Sequence, residues 1–248
     1  MNQPTKILKR SARMSLAGRY LPSICAFFLF ALISFLLAWL LNISGFSPLG
    51  DLTRRLSFWA LSAVILLLNA VLSIGLTRYF FQMTLGQPYS LRDLLYGFTN
   101  NPDRFIVAAA LRYGMLAVPW IPAVSLYLRM PVLAEATLRQ AFLLLALVLL
   151  AALWNLPVML VYGQSFYILL EQPDCPVITS MAISREIMQG HKKRLFSLYV
   201  SFLGYGLLSL GTMGLGDLWL RPYMEMIQIQ FYLDISGKKQ LKEEPPLS

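Results

Sequence analysis

The chain has 248 residues, of which 57% are hydrophobic and 13% charged, and its mean hydropathy is +0.61. Soluble domains carry about 25% charged residues, so this balance excludes an ordinary soluble globular domain and points to a polytopic membrane protein. The formal net charge of +9 then reads as the Lys/Arg excess of cytoplasmic loops. Basic and aromatic residues are not interleaved as in an RNA-binding surface, so no nucleic-acid partner is expected.

Residues 1–19 hold Lys6, Lys9, Arg10, Arg13 and Arg19 and no acid. Thr5 is placed to cap a short helix there, and Gly18 to stop it. Tyr20 to Asn42 follows without a charge. It is longer than the roughly 7–15-residue core of a signal peptide and reads as a first transmembrane helix, for which about 20 apolar residues suffice. A Gly/Ser/Pro-rich loop over Gly45–Arg55 leads to a second span, Leu56–Leu85, interrupted by Asn69, Thr77, Arg78 and Gln82. Gly86-Gln87-Pro88 ends it. Ser90, with Asp93 three residues on, then opens a second short helix as an approximate capping box, and Gly97 stops that helix.

Phe105–Leu128 is the third span, with Arg112 inside it and a break expected at Pro119 and Pro122. Ala141–Leu170 is the fourth, interrupted at Pro157. After Gln172-Pro173, Asp174 or Cys175 caps a third short helix that carries Pro176 in its first turn and runs to Gly190. Leu195–Gly211 is the fifth span, where Gly204, Gly206 and Gly211 thin the surface for close helix contact. Gly214–Leu233 is a sixth, more polar span, and Lys238–Ser248 is a charged tail read as disordered. The expected fold class is all-α: a polytopic bundle of six transmembrane helices with three short cytoplasmic interfacial helices, forming one membrane domain over residues 1–236. Cys25 and Cys175 fall at different depths in this scheme, so no disulfide is expected.

With both termini inside, fifteen Lys/Arg lie on the cytoplasmic side and four (Arg54, Arg55, Arg129, Arg139) outside. That bias sets the orientation, with the plasma membrane as the location. The plan also repeats. Arg13-Met-Ser-Leu-Ala-Gly18, Arg92-Asp-Leu-Leu-Tyr-Gly97 and Arg185-Glu-Ile-Met-Gln-Gly190 share one pattern: Arg, two residues, Leu or Met, one residue, Gly. Each precedes a span, an outer loop, a second span and a Tyr near the inner surface: Tyr79, Tyr167 and Tyr232. The reading is a threefold tandem repeat over about 5–86, 87–172 and 173–236, with like topology in each unit and an axis along the membrane normal. Within each hexapeptide the Gly serves as a bend and the Arg as an interfacial anchor that can reach lipid phosphate. A single anion site lined by Arg13, Arg92 and Arg185 would instead require the three to converge.

The sixth span is the most unusual. Asp217, Arg221 and Glu225 follow at i, i+4 and i+8, and Gln228 and Tyr232 continue the same face. Charges at mid-bilayer are costly, so this face should turn inward and find partners. Arg112 and Glu225 lie at similar depth and are expected to pair, with Asp217 and Arg221 pairing along their own helix. Polar-pathway and helix-locking roles both remain open for these charges. No metal-ligand cluster, phosphate loop or Ser–His–Asp set is visible, and the single His191 sits beside a basic run. No catalytic residue, metal or cofactor is therefore assigned.

Several stretches resemble a bacterial integral-membrane family known as domain of unknown function 975. They are Met181-Ala-Ile-Ser-Arg185-Glu-Ile-Met188-Gln-Gly190, Leu195-Phe196, Ser201-Phe202, Gly214-Leu-Gly216, Leu218-Trp-Leu220, Pro222-Tyr223 and Phe231-Tyr232. Leu8-Lys9-Arg10-Ser-Ala12 with Leu16-Ala-Gly18 looks like that family's opening helix. Gly75-Leu-Thr-Arg78 and Leu94-Leu-Tyr-Gly97-Phe98 look like its middle section. His191 stands where the family usually has Lys or Asn. The resemblance implies a multi-pass bacterial plasma-membrane protein and carries no activity. Two function classes stay open. One is transport or handling of a lipid or small amphiphile along the polar face. The other is a non-enzymatic scaffold that docks a membrane-protein partner, or a further copy of itself, through its cytoplasmic helices. An intramembrane enzyme is the least supported.

Overall fold

The structure, a computed structural model, describes residues 4–48, 51–129, 137–212 and 216–237. Every regular element among them is helical. The Lys238–Ser248 tail lies outside the described residues.

Helix α1 (Thr5–Leu16) places Leu8, Ala12 and Leu16 at i, i+4 and i+8, and all three are buried. Pro4, not Thr5, occupies its N-cap: the fixed proline φ suits the last non-helical position and leaves Thr5 inside the first turn. Gly18 follows at φ +73°, a conformation that costs little without a Cβ, and the chain turns into α2 (Tyr20–Ile43). Helix α3 (Leu52–Leu85) has 34 residues, about 51 Å, well beyond a hydrocarbon layer of roughly 30 Å. It ends in a Schellman motif. Gly86 is left-handed, its N–H bonds to the Met83 carbonyl, and the Gln87 N–H bonds back to the Gln82 carbonyl.

A 3-10 helix (Leu91–Leu95) and α4 (Tyr96–Thr99) form the second short segment. It opens with the Ser90–Asp93 capping box, in which the Ser90 N–H donates to Asp93 Oδ2 at 2.7 Å. The segment does not stop at Gly97. It runs to Thr99, and the turn is made by Asn101 at φ +50°. Helix α5 (Pro102–Ala117), a 3-10 turn (Val118–Trp120) and α6 (Ile121–Arg129) make one broken rod, with the break at Pro119 where the backbone donor is missing.

Helix α7 (Leu138–Tyr162) passes through Pro157 without interruption. The break expected there falls instead at Gly163-Gln164, before α8 (Ser165–Glu171). A Cβ on Gly163 would lie 2.5 Å from the Met159 carbonyl, so the tight turn forms where a glycine permits it. Helix α9 (Val177–Ile187) takes Pro176 itself as N-cap, neither Asp174 nor Cys175, and Gly190 turns the chain at φ +79°. Helices α10 (Lys192–Gly211) and α11 (Asp217–Ile235) complete the order.

Among the described residues, four rods are long and apolar enough to cross a membrane: Tyr20–Ile43, Leu52–Leu85, Pro102–Arg129 and Leu138–Glu171. Helices α10 and α11 are not among them. The first opens on Lys192-Lys193-Arg194, and the second carries Asp217, Arg221, Glu225 and Asp234 within 19 residues. Gly204, Gly206 and Gly211, expected at close helix contacts, have nothing within 4 Å of where a Cβ would lie.

By its contacts the chain divides into two compact units, Met1–Ile106 with Lys193–Ser248, and Val107–Lys192. In the first, α3 packs on α2, on the 3-10/α4 segment and on α11, and α1 lies along α11. The core holds Leu8, Leu16, Ile74, Tyr79, Phe80, Met83, Leu94, Phe231 and Tyr232, which places it around the C-terminal parts of α3 and α11. The distal parts of α2 and α3 expose Phe35, Trp39, Leu40, Leu56 and Trp59, the surface a lipid-facing helix presents. In the second unit α9 packs on α7 and α8, and α7 on α6.

These boundaries do not coincide with those of the expected repeat units: the 3-10/α4 segment packs on α3, and α9 on α8. Helix α1 packs on α11.

Candidate functional site

The charged face of α11 runs from exposed to buried along the helix. At its start Arg221 Nε lies 3.5 Å from Asp217 Oδ2, with the side chains 57% and 34% exposed. One turn further, half-buried Glu225 accepts from the Thr77 hydroxyl of α3, Oγ1 to Oε1 at 2.9 Å. Gln228 is half-buried and Tyr232 is buried, its ring 6.2 Å from that of Phe81. Thr84 and Met226 meet on the same α3–α11 contact. Pro222 is buried within the continuous helix.

Arg112 belongs to the other unit. There it is half-buried, and its guanidinium lies 5.0 Å from the Phe166 ring centre. The expected Arg112–Glu225 pair joins residues of different units, and within its own unit each has a different partner.

The three hexapeptide arginines are all exposed. Arg13 stacks over Tyr223 at 5.7 Å, and neighbouring Lys9 stacks over Tyr205 at 5.8 Å. The Tyr223 side chain raises the Arg13 pKa above its ordinary value. The apolar positions of the pattern divide. Leu16 and Met188 are fully buried, but Leu95 is half exposed and Leu94 is buried in its place. The middle copy is wound as a 3-10 helix, and the tighter turn shifts the buried register by one residue. Gly18 and Gly190 have positive φ; Gly97 does not. Gly97 instead presses on α3, where a Cβ would sit 2.7 Å from the Val71 carbonyl oxygen.

Several locking residues gave little sign of themselves in the sequence. Gly75 faces Leu94 so closely that a Cβ would fall 2.0 Å from its carbonyl oxygen. Arg78 stacks on Tyr96 at 3.5 Å and lies 3.6 Å from Asp93. Gly75 and Gly97 thus interlock two backbones, and Arg78 clamps them. Arg194 and Asp234 form a largely buried pair at 2.6 Å between α10 and α11, with Phe231 against the guanidinium. In the second unit, the Asn155 amide donates to the Leu116 carbonyl at 3.1 Å and accepts from Trp120 Nε1 at 2.8 Å. It thereby fills the gap opened by the Pro119 break. Ser184 of α9 donates to the Val161 carbonyl of α7 at 2.7 Å. Arg78 and Thr77 stand out in sequence only as polar interruptions in an apolar run; Gly75, four residues before Tyr79, is the one glycine inside that run.

Among the described residues there is no cluster of His, Cys, Asp and Glu suited to a metal. A cleft of about 190 Å³ lies between Pro22, Cys25, Tyr79, Tyr89, Ser90 and Leu91, with Arg19 over the Tyr89 ring. It is small and mostly apolar.

Four membrane-length apolar helices among the described residues, with polar locks joining α3 to α11 and to the 3-10 helix, point to a helical membrane protein. The chain belongs to the family described as protein of unknown function DUF975, whose model matches residues 1–239. No curated protein and no solved structure matches the chain.

Proposed function

We propose that this is a multi-pass protein of the bacterial plasma membrane, with both termini cytoplasmic, that holds a lipid or small amphiphile by its headgroup at the start of α11. The observation that carries this reading is the Asp217–Arg221 pair. It leaves the guanidinium more than half exposed, in a chain whose long helices present apolar side chains outward. A charge pair at that position supplies both a cation for a phosphate and a carboxylate for an ammonium group. The reading adopts six crossings, with α10 and α11 as a third, shorter hairpin, and the threefold repeat. What supports the repeat is the contact of the 3-10/α4 segment with α3 and of α9 with α8, and the matched buried triads Leu8/Ala12/Leu16 and Ser180/Ser184/Met188.

Native mass spectrometry of the protein purified in mild detergent tests this. A bound lipid retained by the wild type and lost in both Arg221→Gln and Asp217→Asn is the expected result. Identical lipid occupancy in all three proteins would refute it.

A second reading, a non-enzymatic scaffold docking a membrane-protein partner or another copy of this chain, is favoured by a different observation. Glu225 is engaged by Thr77 and Arg194 by Asp234, as charges that only lock helices would be. Stoichiometric co-purification of one protein, unchanged by Arg221→Gln, would support it.

A further inference from the structure

Helix α1 has two faces of opposite chemistry. Leu8, Ala12 and Leu16 are buried, and the helix packs along α11. Lys9 and Arg13, on the flank, are spent on the Tyr205 and Tyr223 rings. The remaining face carries Lys6 and Arg10 at i, i+4 and Ile7 and Met14 at i, i+7. Ile7 and Met14 are 44% and 61% exposed, Lys6 and Arg10 are exposed as well, and neither cation has an ion-pair partner among the described residues.

What covers this face follows from connectivity and charge. Only Ala17, Gly18 and Arg19 separate α1 from the membrane-length helix α2, so α1 lies close to the bilayer surface. The chain has no acidic residue before Asp51. Cations flanking apolar side chains on one exposed helical face are the pattern of an interfacial helix on an anionic leaflet.

We propose that the outward face of α1 is a binding surface for anionic phospholipid, with Lys6 and Arg10 meeting lipid phosphates and Ile7 and Met14 entering the upper acyl region. Helix α1 then keeps its buried face on α11 and its outward face on the leaflet. This surface is separate from the headgroup seat at Arg221, and neither requires the other.

The test uses the full chain with Cys25→Ser and Cys175→Ser, an environment-sensitive fluorophore on Ile7→Cys, and nanodiscs of phosphatidylcholine with or without about a third phosphatidylglycerol. Phosphatidylglycerol should shift the emission to the blue and increase quenching by a nitroxide-labelled lipid. Adding Lys6→Gln and Arg10→Gln weakens the contact about 30-fold, at roughly fivefold per charge, and should abolish most of the phosphatidylglycerol response. Melting in pure phosphatidylcholine should stay unchanged, which shows that the variant folds. Three results would overturn the proposal: a water-like emission in both compositions, a phosphatidylglycerol response indifferent to the two substitutions, or the full shift produced in phosphatidylcholine by inorganic phosphate alone. An Arg221→Gln control should leave the response intact.

Discussion

Gly75→Ala is the sharpest probe of how the short segments are held. The added methyl would sit 2.0 Å from the Leu94 carbonyl oxygen, 2.5 Å from its carbon and 2.8 Å from its Cα. Backbone is the obstacle, so no rotamer change relieves it. Ordinary contact would require the 3-10 helix to retreat by more than about 1 Å. That retreat is opposed by the Arg78 contacts to Tyr96 and Asp93 and by Gly97 against Val71. Overpacking of this kind costs about 1–3 kcal/mol, and a loosened, desolvated Arg–aromatic stack adds up to about 2 kcal/mol. For a chain of this size that is a fall of about 3–15 °C in melting temperature. Gly204→Ala is the control, because nothing lies within 4 Å of its Cβ position; it should be neutral, or stabilising by up to about 1 kcal/mol through helix propensity. The assay is thermal unfolding of both variants in one detergent. If Gly75→Ala melts with the wild type, or Gly204→Ala falls as far, the interlocked-backbone account is wrong.

Other substitutions address the remaining locks. Thr77→Val removes the hydroxyl that donates to Glu225 and should cost about 1.5–3 kcal/mol, the range for a hydrogen bond to a charged group; Thr77→Ser should keep most of that, read by the same melting assay. Asn155→Leu strips the Leu116 carbonyl and the Trp120 indole N–H of their shared partner. It should cost about 1–3 kcal/mol and change Trp emission, whereas a silent substitution would mean the break at Pro119 is not held by that amide. Arg78→Gln should release the 3-10/α4 segment, seen as faster amide exchange over residues 88–100 with α7 unaffected.

The helices were legible from residue type because uncharged runs and Gly/Pro punctuation act locally. The first span from Tyr20 to Asn42 and the stop at Gly86 follow directly from sequence. The packing was less legible, since it depends on which backbone approaches which. Gly204, Gly206 and Gly211 have the look of contact glycines and face open space, whereas Gly75 and Gly97 make the contacts. Pro157 is tolerated within α7 while Gly163 carries the break. The hexapeptide survives as a positional marker, but its middle copy is wound differently, and the buried residue moves from Leu95 to Leu94. On α11, the Asp217–Arg221 pair could be read from i, i+4 spacing. The partner of Glu225 could not, because Thr77 lies 148 positions away and nothing local marks it.

Membrane sidedness tests the central claim most directly: three hairpins cross the bilayer and return their short helices to one face. Single cysteines at Ser47, Thr137 and Thr212, and at Gln87, Asp174 and Gln189, in a chain with Cys25 and Cys175 replaced by Ser, can be probed with an impermeant maleimide on intact cells. The account predicts that the first three label from outside and the last three only after permeabilisation. Labelling of Thr212 from the same side as Gln189 would contradict it, because the hairpin of α10 and α11 would then not cross.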